Sequence, residues 1–320
     1  MSSTVLRLTD ATGSQVGSSW FNTPQPVKNG FSTSFQFQFT SPSEPPADGI
    51  AFVIQNAPVV GEGESSTGGL HAIGFTGGNG GALGYGDRDT NDNPSTGEGI
   101  PNSIAIEFDS YKNGWDNDAH HVAVQSCGTG RNTSHHNQDC SGVESGPNST
   151  LGSGQVSTSD FGTGLHKVTI TYTPPTSSGC GDSGTMPCPG SLHVILDNTD
   201  LFPGGISVDL GSLLSLGDGG TAFVGFTGAT GGSVENQDIL NWTFTPQAQS
   251  APVTTNTAAI LEFNGGPNNT AYNYNAILTG GDGAVTSATV TVKPILIDEE
   301  ACEKLVDANP KFGKAQCFVY

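Results

Sequence analysis

The sequence predicts an all-β protein, in which an antiparallel β-sandwich is followed by a small β-rich module. Glycine and proline account for 46 and 19 of the 320 residues, and only 12% of the residues are charged. This composition favours many turns that join short strands. All-β domains often extend over about 200 to 250 residues as single units, so we expect one large domain and one smaller one.

Short apolar or alternating runs mark the strands of the large domain. Phe35, Phe37 and Phe39 alternate with polar residues, as in a half-buried strand. Further strands are predicted near residues 50–54, 166–174, 192–198, 221–228 and 239–246. None of these segments has the helical period. Residues 61–87 are rich in glycine, which predicts a long surface loop of the kind that often carries function.

Residues 247–256 have the composition of a linker, so we place the large domain at residues 1–246. Residues 257–320 then form a β-rich C-terminal module. Strands are predicted there at residues 258–263, 271–278 and 287–297, and a short helix at residues 298–310. We expect this module to be incomplete, because the chain ends within a strand-like segment.

The formal charge of -20 arises from 30 acidic and 10 basic residues. A nucleic-acid backbone or an anionic membrane surface would therefore be repelled. The acidic excess suits cation binding, although a soluble extracellular surface explains the charge equally well. No run of 18 or more apolar residues is present, so no membrane span is predicted.

Six cysteines form three pairs of close neighbours in sequence, and none makes a CxxC motif. Local disulfides in an oxidising compartment are the expected state, with free buried thiols as the alternative. We therefore expect a secreted or cell-surface protein, although the chain has no signal peptide, which indicates a processed or partial chain. The pairs are Cys127 and Cys140, Cys180 and Cys188, and Cys302 and Cys317.

The segment from Glu107 to His121 concentrates potential metal ligands. Its strand places Ile104, Ile106 and Phe108 on one face, and Glu107 and Asp109 side by side on the other, which we expect to be exposed. Calcium takes carboxylate, amide and carbonyl oxygens, whereas imidazole favours transition metals. The segment therefore suits two adjacent ions. Its potential ligands are Glu107, Asp109, Asn113, Asp116, Asp118, His120, His121 and the Tyr111 carbonyl.

Two other interpretations of this segment compete with a metal site. A polar strand end followed by a solvated acidic turn would have a similar composition. An EF-hand loop starting at Asp109 fails, because Tyr111 and His120 occupy its third and twelfth positions, where an oxygen ligand and a bidentate glutamate are needed.

The order and spacing of these residues resemble the metal-binding strand and loop of the L-type, or legume-type, lectins. That pattern is E-[FL]-D-x-[YF]-x-N, then W-D, then H-[IV]. The resemblance implies a jelly-roll sandwich with one calcium ion and one manganese or other transition-metal ion. It assigns Glu107 and His121 to the transition metal, Asp109 and Asp116 as bridges, and Asn113 and the Tyr111 carbonyl to calcium.

His120 competes with His121 for the histidine role. Neighbouring side chains on a strand point to opposite faces, so only one can reach the ion. We choose His121, because the His-Val-Ala-Val alternation that follows it matches the family.

The resemblance extends from about Leu6 to Thr245 and implies a carbohydrate site beside the metals. Residues 47–52 look like the family's A-D-G-[IL]-A-F segment, where a cis peptide bond precedes an aspartate that accepts hydrogen bonds from the sugar. The family's variable loop corresponds to residues 231–234, too short to indicate a particular sugar. The implied carbohydrate-binding residues are Asp48, Gly81, Tyr111 as a stacking ring, Asn113, Gly232 and Ser233.

These features predict a non-catalytic lectin or adhesin that binds glycans and allows homo-oligomers. We expect a bacterial or other non-plant relative with a C-terminal extension, and the family's earliest strand would precede Met1. A jelly-roll glycoside hydrolase is the main alternative, but Tyr111 and Lys112 occupy the place of its required third acid. The second alternative is an adhesin domain in which the metals only stabilise loops.

Overall fold

The computed structural model describes residues 5–57, 76–87, 99–136, 140, 149–151, 161–175, 190–217 and 219–247, and the backbone of residues 156–158, 260–264, 274–275 and 288–289. Two antiparallel sheets dominate these residues. The predicted all-β sandwich is thereby confirmed. Two short helical turns occur in the described ranges, α1 (Leu210–Leu213) and a 3-10 turn at Gly80–Ala82.

The strands are, in chain order, β1 (Leu6–Thr9), β2 (Val16–Phe21), β3 (Gln25–Pro26), β4 (Phe31–Thr40), β5 (Gly49–Gln55), β6 (Ser103–Asp109), β7 (His121–Gln125), β8 (Val156–Thr158), β9 (Leu165–Thr173), β10 (Ser191–Leu196), β11 (Thr199–Asp200), β12 (Ile206–Ser207), β13 (Thr221–Ala229), β14 (Asn236–Pro246), β15 (Ile260–Asn264), β16 (Tyr274–Asn275) and β17 (Ala288–Thr289).

The first sheet has the strand order β1-β14-β4-β9-β10-β11, with β12 beside β10 and β17 beside β14. The second has the order β16-β15-β2-β13-β5-β6-β7-β8, with β3 beside β13. Half of the neighbouring pairs in these two orders join strands that are not consecutive in the chain. The second sheet carries the candidate site, because β5, β6 and β7 lie side by side in it.

The main core lies between the inner faces of the two sheets. Along β4 the buried aromatic residues alternate with less buried polar ones, as the sequence predicts. The ring of Phe35 contacts three rings of the opposite sheet, Phe52, Phe108 and Phe226, at centroid distances of 6.2, 5.8 and 4.9 Å. This aromatic packing fixes the position of β5 and β6, and hence of the polar residues that follow them.

A second, smaller cluster covers the outer face of the nine-stranded sheet. Leu83 and Tyr85, from the loop of residues 76–87, pack there against Ala51, Val53 and Trp20. This loop buries the outer face of β6. The prediction that Glu107 and Asp109 lie on an exposed face was therefore wrong: their exposed fractions are 0% and 1%.

The C-terminal segments add backbone pairings to both sheets. β15 pairs with β2, β16 with β15, and β17 with β14. The predicted linker lies outside the described residues except for residue 247, as does the predicted helix at residues 298–310. The division into two domains stays a prediction.

Among the predicted disulfides, Cys127 and Cys140 are bonded to each other. The bond closes a loop that follows β7. The other two predicted pairs lie outside the described residues. Residues 131–136, within the closed loop, lie against the outer face of β6.

Candidate functional site

The register of three neighbouring strands gathers the ionisable residues of the site. Asp109 on β6 lies opposite Gly49 on β5 and His121 on β7. Glu107, two residues earlier, lies opposite Ala51 and Ala123. Residues directly opposite each other share a face of the sheet, so both carboxylates and the imidazole project to the outer face. The small side chains beside Glu107 leave space for this cluster.

The loop after β6 adds a third carboxylate. The Tyr111 N–H donates to Asp109 Oδ1 at 2.7 Å, and the Asn113 N–H donates to Asp116 Oδ2 at 2.6 Å. The Asp116 N–H in turn donates to the Asn113 carbonyl at 3.2 Å. These bonds form a tight turn that directs Asp116 back towards β6 and β7. The sequence signal for this turn is the run of Asn, Gly and Asp after the strand.

The distances within the cluster suit donors that share one ion. His121 Nε2 lies 3.7 Å from Glu107 Oε1, 4.0 Å from Asp109 Oδ2 and 3.8 Å from Asp116 Oδ1. Two donors at about 2.1 Å from one metal are separated by roughly 3 to 4.2 Å, depending on their angle. His121 Nδ1 lies 2.8 Å from the Asp118 carbonyl, which fixes the ring with its Nε2 lone pair towards the carboxylates.

His120 does not join this cluster. Its ring packs edge-on against Phe161 with a centroid distance of 5.6 Å, and its φ angle is 52°. His121 is the residue whose side chain reaches the carboxylates. The chain thus presents the two neighbouring histidines in different directions, as expected at the start of a strand.

Several polar atoms that face this region are buried and have no hydrogen-bond partner. They are Asp116 Oδ1, His121 Nε2, Asn113 Oδ1 and Asp48 Oδ2. Buried polar atoms are nearly always paired, so a group of unpaired ones on converging residues indicates a ligand or ion in the functional state. These atoms belong to two carboxylates, an amide and an imidazole. Such donors suit a calcium ion beside a transition-metal ion.

A second group of residues borders this cluster of carboxylates and imidazole. The Ala47–Asp48 peptide bond is cis, as the resemblance implied, and the Asp48 carbonyl accepts a hydrogen bond of 2.8 Å from the Ser110 N–H. A side chain at Gly81 would meet the Asn113 amide at 2.6 Å, and one at Gly231 would meet Asp48 Oδ2 at 3.1 Å. Asp48, Gly81, Asn113 and Gly231 therefore line one site.

The remaining predicted carbohydrate residues lie at the margin of this group. Tyr111 is half-buried in the loop after β6. Gly232 is exposed, and a methyl group added to its Cα would have no heavy atom within 4 Å. Ser233 accepts a hydrogen bond from the Gly231 N–H at 3.3 Å. The metal and carbohydrate roles of all these residues stay predictions.

Burial controls the ionisation of the site in the absence of ions. It raises the pKa of Asp48 to about 7 and that of Asp116 to about 6. Burial, reinforced by the negative charges of Asp116 and Glu107, raises the pKa of Asp109 well above its usual value. Burial also raises the pKa of Glu235, which accepts a hydrogen bond from Ser110 Oγ, to about 7. These carboxyl groups tend to hold protons unless a cation replaces them.

Glu107 is the exception. Burial alone would raise its pKa, but its contacts with His121 and His136 outweigh that effect and lower the pKa to about 2. The Tyr85 hydroxyl donates to Glu107 Oε2, and Gln125 Nε2 donates to Oε1 at 3.4 Å. Glu107 is thus held as a carboxylate by partners on three different segments.

Sequence reasoning missed Tyr85, Gln125, His136 and Glu235. Tyr85 and His136 come from loops that are distant in sequence, and no periodic pattern places them at the site. The His-His pair in the cysteine-bounded loop was a usable signal for His136, because histidine is the commonest metal ligand. Glu235 directly precedes β14. It lies beside the site because the chain passes the site again at this point.

Comparisons with known proteins indicate one family. A family model described as the legume lectin domain matches residues 1–172. Agglutinin-2 from Cladrastis kentukea is 27% identical over 229 residues, which cover 69% of this chain and 59% of that protein. A lectin-related protein from the same organism is 29% identical over 221 residues, covering 67% of this chain and 56% of that protein. The chain therefore aligns with less than two thirds of the length of either relative.

Among solved structures, basic winged bean lectin with Tn-antigen shares 23% sequence identity and a TM-score of 0.44. The match covers 76% of this chain and 87% of that one.

The metal-free protein is expected to become more stable on acidification from pH 8 to pH 5. Asp48, Asp116 and Glu235 have raised pKa values when folded, so the folded chain takes up protons in this range that the unfolded chain does not. The raised pKa of His136 acts in the same direction. The lowered pKa of Glu107 matters only below about pH 4.5.

Because one pKa unit corresponds to about 1.4 kcal/mol, we expect a gain of about 2 kcal/mol or more in the free energy of unfolding. Urea titrations of chelator-treated protein at the two pH values measure it. Protein loaded with calcium and a transition metal is the control, and its stability should depend less steeply on pH in this range. Greater stability at pH 8 for the metal-free protein would contradict the electrostatic description of the site.

Proposed function

The chain belongs to the legume lectin family, and we propose that it binds carbohydrate without cleaving it, at a site organised by one calcium and one transition-metal ion. The observation that supports this most is the convergence of Asp48, Gly81 and Asn113 beside the buried cluster of Glu107, Asp109, Asp116 and His121. Family membership supports carbohydrate binding, and the cluster supports the dependence on metals.

The buried donors fit the two ions. Glu107, Asp109, Asp116 and His121 would hold the transition metal, since a site of carboxylates and imidazole suits such an ion. Asn113 Oδ1, Asp109, Asp116 and the Tyr111 carbonyl would hold calcium, which prefers oxygen ligands. When bound, the ions neutralise the carboxylates and fix the turn that follows β6.

Recognition of the sugar rests on a fixed carboxylate and a fixed amide. Asp48 Oδ2 is buried, unpaired and able to accept hydrogen bonds from two hydroxyl groups. The Asn113 amide would donate from its nitrogen while its oxygen binds calcium, and Gly81 permits the ligand to approach the backbone. The ring of Tyr111 would stack on the apolar face of the sugar, and Gly232 and Ser233 would contact its edge. Each hydrogen bond contributes only about 1 kcal/mol, so affinity depends on rigid placement.

Non-catalytic binding is favoured over hydrolysis. A retaining glycosidase needs a second carboxyl group about 5 to 5.5 Å from its nucleophile and free to act as acid and base. The three carboxylates nearest each other, Glu107, Asp109 and Asp116, all face one imidazole as metal donors. The charge of Asp48 contributes to the raised pKa of Asp109, and we assign Asp48 to hydrogen bonds with the sugar rather than to acid–base chemistry.

The partners are glycans or glycoconjugates at a secreted or cell-surface location. The disulfide Cys127–Cys140 supports an oxidising compartment. In the described residues, no helix has the length and apolar character needed to cross a membrane. A homo-oligomer is compatible with the fold.

A glycan array probed with protein in calcium and manganese, and again after treatment with EDTA, tests the proposed function. We expect binding to a defined group of glycans, its loss with EDTA, and its recovery when calcium is restored, because Asp48 and Asn113 depend on the ions for their positions. Binding unaffected by EDTA, or release of reducing sugar from the bound glycans, would refute the proposal.

Replacement of Asp48 by Asn should lower the affinity for any glycan identified in this way at least 100-fold by calorimetry. The amide lacks the negative charge that strengthens the hydrogen bonds from the sugar, and it presents an NH2 donor in place of one acceptor oxygen. The melting temperature should not fall, since Asp48 Oδ2 has no partner and the oxygen of the amide can still accept the hydrogen bond from the Gly231 N–H. Glu44→Gln is the matched control, an exposed acid on the same loop that should bind normally. Normal glycan binding by the Asp48→Asn variant would show that Asp48 does not contact the sugar.

Replacement of Gly81 by Ala should weaken glycan binding about 10-fold or more, because the new methyl group meets the Asn113 amide at 2.6 Å. Gly114→Ala is the control, because no heavy atom lies within 4 Å of its added methyl group. Calorimetric titration of both variants with the same glycan measures the difference. Equal affinities for the two variants would show that the loop of Gly81 does not face the ligand.

A further inference from the structure

His136 is a fifth ionisable residue at the buried cluster of Glu107, Asp109, Asp116 and His121. It lies outside the sequence segment that carries these four residues. Its side chain is 3% exposed. Its Nε2 lies 2.7 Å from Glu107 Oε1 and its Nδ1 lies 3.6 Å from Asp116 Oδ1. The rings of His136 and His121 are nearly perpendicular, with a centroid distance of 4.7 Å. Both imidazoles therefore face the same carboxylates.

The hydrogen bond to Glu107 determines which nitrogen of His136 is free to bind an ion. Glu107 is a carboxylate and accepts, so Nε2 carries the proton of that bond. Nδ1 is then left with a lone pair, and it is buried with no hydrogen-bond partner. His121 Nε2 and Asp116 Oδ1 are unpaired in the same way. His136 Nδ1 and His121 Nε2 lie 3.6 and 3.8 Å from Asp116 Oδ1, which suits three donors around one ion.

The loop that carries His136 is fixed in place. Asn132 is fully buried, and its side-chain amide donates to the Ser103 hydroxyl at 3.1 Å and to the Gln125 carbonyl at 3.1 Å. The disulfide Cys127–Cys140 closes the loop on either side of it. His136 is therefore presented by a braced segment rather than by a loop tip, as a metal ligand requires.

We propose that His136 is a second imidazole ligand of the transition-metal ion, so that this chain offers two histidines and three carboxylates to it. The inference rests on the proposed metal site and adds to it a consequence for metal choice. Two imidazoles shift a site from manganese towards zinc, cobalt, nickel and copper, which bind nitrogen donors more strongly. An ion bound at Nδ1 would leave the Nε2–H of His136 free to keep its hydrogen bond to Glu107 Oε1.

A loss of metal affinity alone would not establish this role. A residue that only orients Glu107 through a hydrogen bond also changes metal affinity, typically about 10- to 100-fold. The number of imidazoles bound to the ion separates a ligand from a positioning residue. Pulsed electron paramagnetic resonance of calcium-loaded protein with one equivalent of Cu²⁺ counts them.

We expect two imidazoles in the wild-type protein, one in His136→Gln and one in His121→Gln. His193→Gln is the matched control, a partly exposed histidine in the other sheet, and should retain two. Competition titrations should show that His136→Gln lowers Zn²⁺ affinity at least tenfold more than Mn²⁺ affinity. One imidazole in the wild type, or two in His136→Gln, would overturn the inference.

The wild-type count is decisive even if a variant does not fold. It is also independent of the proposed function, because calcium-dependent glycan binding by a protein with a single bound imidazole would refute only the role of His136. Loss of all glycan binding with two imidazoles present would refute the carbohydrate site and leave the metal ligand in place.

Discussion

Burying carboxylates side by side costs several kcal/mol for each charge unless opposite charges or ions compensate, and Glu107, Asp109 and Asp116 lie buried around His121 on one face of a sheet. Burial accordingly raises the pKa of Asp116 to about 6 and that of Asp109 well above its usual value, whereas contacts with two histidines lower the pKa of Glu107. Either protons or cations must satisfy the cluster.

This constraint links the proposed metal site to the proposed sugar site through the turn that follows β6. The turn after β6 uses Asp109 and Asp116 as hydrogen-bond acceptors for its own backbone, and the same turn presents Asn113 beside Gly81. Asp48 is tied to this turn through the Ser110 N–H. Ions that neutralise the carboxylates therefore also fix the atoms proposed to meet a sugar. We therefore expect the charge state of the buried carboxylates to determine the positions of the residues proposed to contact the sugar.

Much of the site could be predicted from the sequence because its ligands are local. Glu107, Asp109, Asn113, Asp116 and His121 fall within fifteen residues, and strand register alone brings three of them to one face. The alternation of Phe35 and its neighbours predicts the core in the same way, since period-two patterns report which face is apolar.

The exposed face predicted for Glu107 was wrong for a physical reason. The loop of residues 76–87 folds back over the sheet and buries it, and Leu83 and Tyr85 supply the apolar contacts. Glycine-rich loops have no periodicity from which such docking could be predicted. His136 was missed for a related reason, because its place depends on a disulfide-closed loop and on Asn132 rather than on a strand.

The metal content of the purified protein tests most directly whether the buried cluster is a two-ion site. Protein incubated with calcium and a mixture of manganese and zinc, then dialysed without chelator, is analysed by inductively coupled plasma mass spectrometry. The described arrangement predicts close to one calcium and one transition-metal ion per chain, both reduced when Asp116 is replaced by Asn. Metal content near zero in the wild type, with no change in melting temperature on adding the ions, would contradict it.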